Sequence, residues 1–165
     1  VDEAKELMEQ YNERVPFVKQ LMTGVTQRLD SPRSSGSIRS LKGRKCRFDM
    51  WEPASWGTHK AMKRDEAIAA HGETTRLRRA FTFRAGNRLI QASAADQTKQ
   101  AMVDCCAAGH LPMLQVHDEL AFSVDDVQQA KEIREIMEQA LPLCIPSRCD
   151  IDLGPNWGDA VEVTG

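Results

Sequence analysis

Apolar residues at Leu7, Met8, Tyr11, Val15, Val18, Leu21, Met22 and Val25 recur at the three- and four-residue steps of a helix, and Pro16 interrupts the series. Two helical pieces are therefore expected across residues 2–29. The Ser/Pro/Gly-rich stretch 30–37 reads as a loop, and 37–48 as short strands around a turn at Lys42-Gly43. Residues 51–73, with Pro53 and Gly57, read as polar and irregular at first and then helical, an insertion to which the pattern assigns no chemistry. The Pro-free stretch beyond them centres on 87–103, rich in the good helix formers Ala, Leu, Gln, Lys and Met, and Gly109 is placed to stop that helix.

Two short apolar-rich runs, 111–116 and 119–124, are separated only by His117 and Asp118, the spacing of a two-residue β-hairpin. With that pair as the turn, Val116 opposes Glu119 and Met113 opposes Phe122. Leu111, Met113, Leu120, Phe122 and Val124 then share one face, which is expected to be core. Asp125 or Asp126 is placed to cap a helix whose apolar stripe is Val127, Ala130, Ile133, Ile136, Met137 and Ala140, with Pro142 and Pro146 ending it. Residues 147–153 alternate as a last strand before a turn at Gly154-Pro155. The order helix, hairpin, helix, strand predicts an α+β fold, helices covering one face of an antiparallel sheet.

The length of 165 residues suffices for one core, and no apolar run approaches the roughly 20 residues that cross a bilayer. Nothing after Val1 has the pattern of a secretory leader, so a cytoplasmic protein is expected, and a piece of a longer one. Cys46, Cys105, Cys106, Cys144 and Cys149 are odd in number and form no CxxC pair, so neither a disulfide framework nor a zinc ribbon is indicated and free thiols are expected. The formal charge of −2 hides a segregation. Residues 32–48 carry Arg33, Arg39, Lys42, Arg44, Lys45 and Arg47 with no acid, and residues 74–95 carry Arg76, Arg78, Arg79, Arg84 and Arg88, again with none. From Asp118 onward acids far outnumber the bases Lys131, Arg134 and Arg148. A basic middle suits a polyanion, because neutralising phosphates releases counterions; a solvated charged surface is the plainer alternative.

The sharpest local feature is Gln115-Val116-His117-Asp118-Glu119-Leu120. Two adjacent carboxylates at a hairpin tip raise each other's proton affinity unless a cation is near, and Mg²⁺ prefers such oxygens while keeping waters and phosphates as its other ligands. An ordinary polar turn is the alternative, since Asp is common in turns. A metal-dependent hydrolase of the His-Asp type is disfavoured, because His59, His71 and His110 make no ligand set with a pair lying between strands.

The run Asn87-Arg88-Leu89-Ile90-Gln91-Ala92-Ser93-Ala94-Ala95-Asp96, followed by Lys99 and then by the His117-Asp118-Glu119 hairpin, resembles the end of family A DNA polymerases, the bacterial DNA polymerase I type and its phage relatives. In that family N-x-x-x-Q-G-[ST]-A-A-D leads to a strand-HDE-strand hairpin. Residues 36–44, GSIRSLKGR, and the closing Gly154-Pro155-Asn156-Trp157 match two further family segments, so four motifs stand in order. The resemblance implies a portion of the palm, an antiparallel sheet with the HDE hairpin packed on helices, across residues 87–165, and a helical remnant of the fingers with a loop or insertion across 1–86. It implies that Asp118 ligates Mg²⁺, that His117 packs beside the primer terminus and that Glu119 lies near the primer's last sugar. Asn87 and Gln91 are implied to touch the template-primer minor groove, whose acceptors vary little with sequence. Arg84 falls near a basic position of the same helix, one residue short in spacing, and Arg44 is implied to contact the nucleic-acid backbone or hold its loop. Asp96 is implied to be structural.

Ala92 stands where the family has Gly, and Gly86 falls inside the expected helix. The D-Y-S-x-[IL]-E and R-x-x-x-K-x-x-x-[FY]-G segments, which supply the other metal carboxylate and the phosphate-binding Lys and Arg, are missing. The expected activity is thus template-directed DNA synthesis by two-metal nucleotidyl transfer, incomplete in this chain alone, with primer-template DNA, dNTP and the N-terminal remainder of the polymerase as partners. A non-catalytic DNA-binding accessory protein derived from a polymerase is the alternative.

Overall fold

Pro16 divides the first helical pattern: α1 spans Asp2–Arg14 and α2 spans Pro16–Asp30, with the proline in the first turn, where its missing N–H has no intrahelical partner to lose. The computed structural model describes residues 2–31 and 33–163; Pro32, inside the expected loop, lies outside them. The chain forms two compact units, Val1–Ala92 and Ser93–Gly165.

In the first unit β1 (Ser37–Arg39) and β2 (Lys45–Arg47) pair antiparallel, with Ile38 opposite Cys46. Gly43 takes φ +82 in the connecting turn, a conformation that suits a residue without Cβ. The core gathers Leu29 of α2, Ile38, Phe48 and Ala85, with Val25, Cys46 and Leu89 packed against it. A second sheet has the order β4-β3-β5, from Met62–Lys63, Met50–Pro53 and Leu77–Arg79. Its central strand β3 lies in a segment expected to be irregular. Pro53 is tolerated because it closes the strand, where its missing N–H interrupts little of the ladder. Trp51 is held by tertiary contacts, with the Arg79 guanidinium 4.5 Å and the Arg64 guanidinium 5.8 Å from its ring centroid. The expected helix at the end of this segment is α3, Arg64–His71.

Arg79 joins both sheets. Its guanidinium donates to the carbonyls of Phe48 (2.9 Å) and Ser34 (3.3 Å) as it stacks on Trp51. A Cβ on Gly36 would run into that guanidinium, and Gly36 also takes φ +67, so the first residue of the GSIRSLKGR segment must be glycine on two counts.

The long helix α4, Ala85–Ala107, begins in the first unit and continues in the second. Gly86 is its second residue, not an interior one, and a Cβ there would strike the Met22 thioether, so glycine lets α2 approach. At the other end Gly109, at φ +93, closes a Schellman motif: His110 N donates to Cys105 O (2.8 Å) and Gly109 N to Cys106 O (3.1 Å).

The hairpin β6 (Leu114–Val116) and β7 (Glu119–Ala121) pairs in the expected register, Val116 opposite Glu119 and Gln115 opposite Leu120. Helix α5, Val127–Gln139, is capped by Asp126, whose carboxylate accepts from Gln129 N at 2.9 Å; Ala130 and Ile133 are its buried positions. The sheet of this unit differs from expectation. Among the described residues it consists of two separate ribbons, β6-β7 and β8 (Asp152–Leu153) with β9 (Val161–Glu162). The strand expected over 147–153 is thus only its last two residues. The hairpin face expected to be core is only half-covered: Leu120, Phe122 and Val124 are partly buried, but Leu111 and Met113 are each 69% exposed. Alternation decides which side chains share a face; only a covering element turns that face into core.

Candidate functional site

The turn of the β6-β7 hairpin is built to hold two acids in water. His117, the first residue of the two-residue connection, takes φ +52, and Asp118 does not take a positive φ. A left-handed histidine costs more than glycine would, although His is among the residues that visit this region. Gln115 offsets part of that cost, its Nε2 donating to the His117 carbonyl at 2.9 Å and bracing the turn from within. His117, Asp118 and Glu119 are all exposed. The structure thus brings the three expected residues together at one turn. Gln115 is the contributor that sequence reasoning passed over, since nothing in a strand glutamine announces a bond to the turn beside it.

Asp118 and Glu119 are hard oxygen donors of the type that Mg²⁺ takes, so the residues present fit such an ion in kind. In number they are few: no group of three or more His, Cys, Asp or Glu side chains able to hold a metal occurs among the described residues. An ion bound here would keep most of its coordination sphere for water, phosphate or carboxylates from elsewhere.

Asn87 and Gln91 lie four residues apart on α4, hence on one face, and both are exposed. Arg84 ends the 3₁₀ turn Thr82–Arg84 that leads into α4, its guanidinium 5.1 Å from the Phe81 ring and 5.2 Å from the Phe83 ring. Arg44 is exposed on a tightly built loop, where Arg44 N donates to Ser40 Oγ and Ser40 N to Arg44 O, both at 3.0 Å. Three further arginines of the basic stretches make contacts within the first unit. Arg79 is the tether of both sheets, Arg78 pairs with Glu52 at 2.9 Å, and Arg88 sits over Phe48 and donates to the Arg47 carbonyl.

Asp96 is buried, in keeping with a structural part. The Gly154-Pro155-Asn156-Trp157 segment forms a clasp. Asn156 Oδ1 accepts from Gly158 N (3.0 Å) and Asp159 N (3.2 Å), and a Cβ on Gly154 would lie 2.6 Å from the Asp159 carbonyl. All five cysteines are free thiols. Burial pushes the Cys105 thiol above its usual pKa, and burial with the Glu138 charge does the same at Cys149. No helix of the described residues is long and apolar enough to cross a membrane.

Comparison with known proteins bears on these features together. The family model for DNA polymerase family A matches residues 1–159. The DNA-directed DNA polymerase of Pseudomonas phage M6 is 36% identical over 164 residues, covering 99% of this chain and 21% of that protein. DNA polymerase I of Bacillus subtilis (strain 168) is 42% identical over 93 residues, 50% of this chain and 10% of that protein. Among solved structures, the POL domain of Pol1 from M. smegmatis, in complex with DNA primer-template and dNTP, superposes with a TM-score of 0.61 at 32% identity, over 88% of this chain and 23% of that one. The chain therefore spans about a fifth of the length of such relatives.

Proposed function

The chain belongs to DNA polymerase family A, and on that footing we propose that it is the part of a DNA-directed DNA polymerase that brings the HDE hairpin to the active site. In this reading residues 1–86 belong to the fingers and 87–165 to the palm, the enzyme being completed by the polypeptide that carries the other metal carboxylate and the phosphate-binding helix. Its partners are then primer-template DNA and dNTP, and its place is the cytoplasm, that of the host if the gene is a phage's. The observation that supports it most is the braced turn that presents Asp118 and Glu119 to solvent.

When bound, Mg²⁺ supplies activation of the primer hydroxyl and neutralisation of the triphosphate. Asp118 contributes a carboxylate oxygen to hold it, rigidly placed because both flanking strands and Gln115 fix the turn. Glu119 adds its charge beside the primer's last sugar, and His117 packs at the primer terminus. Asn87 and Gln91 offer amide donors and acceptors to the minor groove, where the pattern of acceptors is shared by correct pairs. Arg84 and Arg44 add positive charge for phosphates.

Primer extension tests the proposal. Alone, the chain is expected to add no nucleotide. Mixed or joined with the polypeptide carrying the two missing segments it is expected to extend primers, and Asp118→Asn to reduce that extension by about a hundredfold or more, because the amide keeps the shape and loses the charge. Extension by the chain alone would show the site to be complete without a partner. Equal extension with and without Asp118→Asn would remove the catalytic assignment and favour a DNA-binding accessory role.

A further inference from the structure

Between β3 and β4 the chain leaves the sheet for residues 54–61, and within that excursion Trp56 is 102% exposed. Large aromatic side chains ordinarily bury much of their area, so a bare indole on a built loop is unusual. The loop is built. Ala54 N donates to the Arg76 carbonyl at 2.8 Å, and the His59 ring meets both Ser55 Oγ and the Ser55 carbonyl at 3.2 Å. Gly57, at φ +136, makes the bend after the tryptophan. Trp51, stacked by Arg79 and Arg64, anchors the strand from which the loop rises.

Along the loop segment itself the charge has one sign. From Ala54 to Arg64 the chain carries Lys60, Lys63 and Arg64 and no acid, and both lysines are exposed. Of the acids flanking it in sequence, Glu52 is paired with Arg78, and Asp65 and Glu66 lie in the first turn of α3, Glu66 accepting from Lys63 N at 3.4 Å. Beside Trp56 an open recess of about 620 Å³ is walled by the loop and by Arg78.

We propose that the 54–61 loop is a binding site for an unpaired nucleic-acid strand, a base stacking on Trp56 and the neighbouring phosphates meeting Lys60 and Lys63. An indole face and separate cations are the two elements from which sequence-tolerant single-strand sites are made. A paired base inside a duplex offers no free face to an indole, so the site selects the unpaired part of a substrate. The proposal rests on the polymerase reading for the identity of that strand, the single-stranded template.

Two labelled probes test it with the full chain: a blunt duplex, and the same duplex extended by an overhang of about ten nucleotides, long enough for a stacking site and its flanking phosphates. The overhang is expected to bind more tightly than the blunt duplex. Trp56→Ala is expected to weaken overhang binding about five- to hundredfold, the range of one lost base stack, and to leave blunt-duplex binding unchanged. Trp56→Phe, which keeps a ring, is expected to retain most of the affinity. Lys60→Ala with Lys63→Ala is expected to flatten the salt dependence on the overhang alone. Equal weakening of both probes by Trp56→Ala, or weakening of neither while wild-type chain binds duplex, overturns the loop site and leaves the polymerase reading standing. Failure of the wild-type chain to bind either probe also overturns the loop site, whereas the polymerase reading is decided by the primer-extension test.

Discussion

Gly36 and Gly43 both take positive φ, at +67 and +82, yet only Gly36 has a neighbour in the way. Gly43→Ala is expected to lose about 1 kcal/mol, the conformational cost of a Cβ at such a φ. Gly36→Ala is expected to lose about 3 kcal/mol, because the Arg79 guanidinium must also leave Trp51 and the carbonyls of Phe48 and Ser34. Urea unfolding midpoints of the two variants check the difference, and equal losses would dismiss Arg79 as the tether. The thiols provide a second test at this scale. Cys106 and Cys144 are exposed, whereas Cys105 is buried and, like Cys149, has its pKa raised from 9.0. At neutral pH, alkylation followed by peptide mapping is expected to label Cys106 and Cys144 first and Cys105 only on unfolding. With folded pKa values above the unfolded 9.0, the unfolded chain loses these protons first. The contribution to stability is therefore full below pH 9 and is lost as pH rises through the folded values, so the urea midpoint is expected to fall on going to higher pH.

At the scale of elements, the ends carry the information. Sequence leaves Asp125 and Asp126 as equal candidates to cap α5; the fold uses the Asp126 side chain and the Asp125 backbone, whose N–H donates to Gln129 Oε1 at 2.8 Å. Asp126→Ala is accordingly expected to lose about 1 kcal/mol and Asp125→Ala much less. Thermal melts followed by circular dichroism distinguish them, and a reversed order would relocate the cap. The same reasoning applies to the hairpin. Its register follows from a two-residue connection, but its stiffness depends on Gln115 reaching the His117 carbonyl, a bond that places the acids without touching them.

For the molecule as a whole, charge segregation matters more than the net value of −2. Binding to primer-template DNA is expected to weaken steeply with salt and to show no preference for sequence, as phosphate contacts dictate. Arg44, exposed on its loop, is one cation placed to contribute; Arg44→Ala is expected to lower the log–log salt slope by about 1. Arg79→Ala is expected to act in the opposite way, lowering stability, since that guanidinium is spent inside the first unit. Fluorescence anisotropy across a salt series, with a melt of each variant, reads both. A slope unchanged by Arg44→Ala would take that residue off the phosphate path.

Much was legible without coordinates because the forces that shape it act over a few residues. Helical periodicity broken by Pro16, the stop at Gly109, a cap before α5 and the two-residue His117-Asp118 turn are all decided by neighbours in sequence, and the α+β order follows from them. The candidate carboxylates came with the turn for the same reason. Tertiary structure decided what depends on distant partners. Strand β3 forms in a stretch of weak pattern because Arg79 and Arg64 hold Trp51, and Arg79 reaches carbonyls 31 and 45 residues away. A Cβ on Gly36 or Gly86 would meet side chains, Arg79 and Met22, that no local rule connects to them. The half-covered hairpin face is the clearest case: alternation along the strands determines which side chains lie together, and only packing against another element determines whether water is excluded from them.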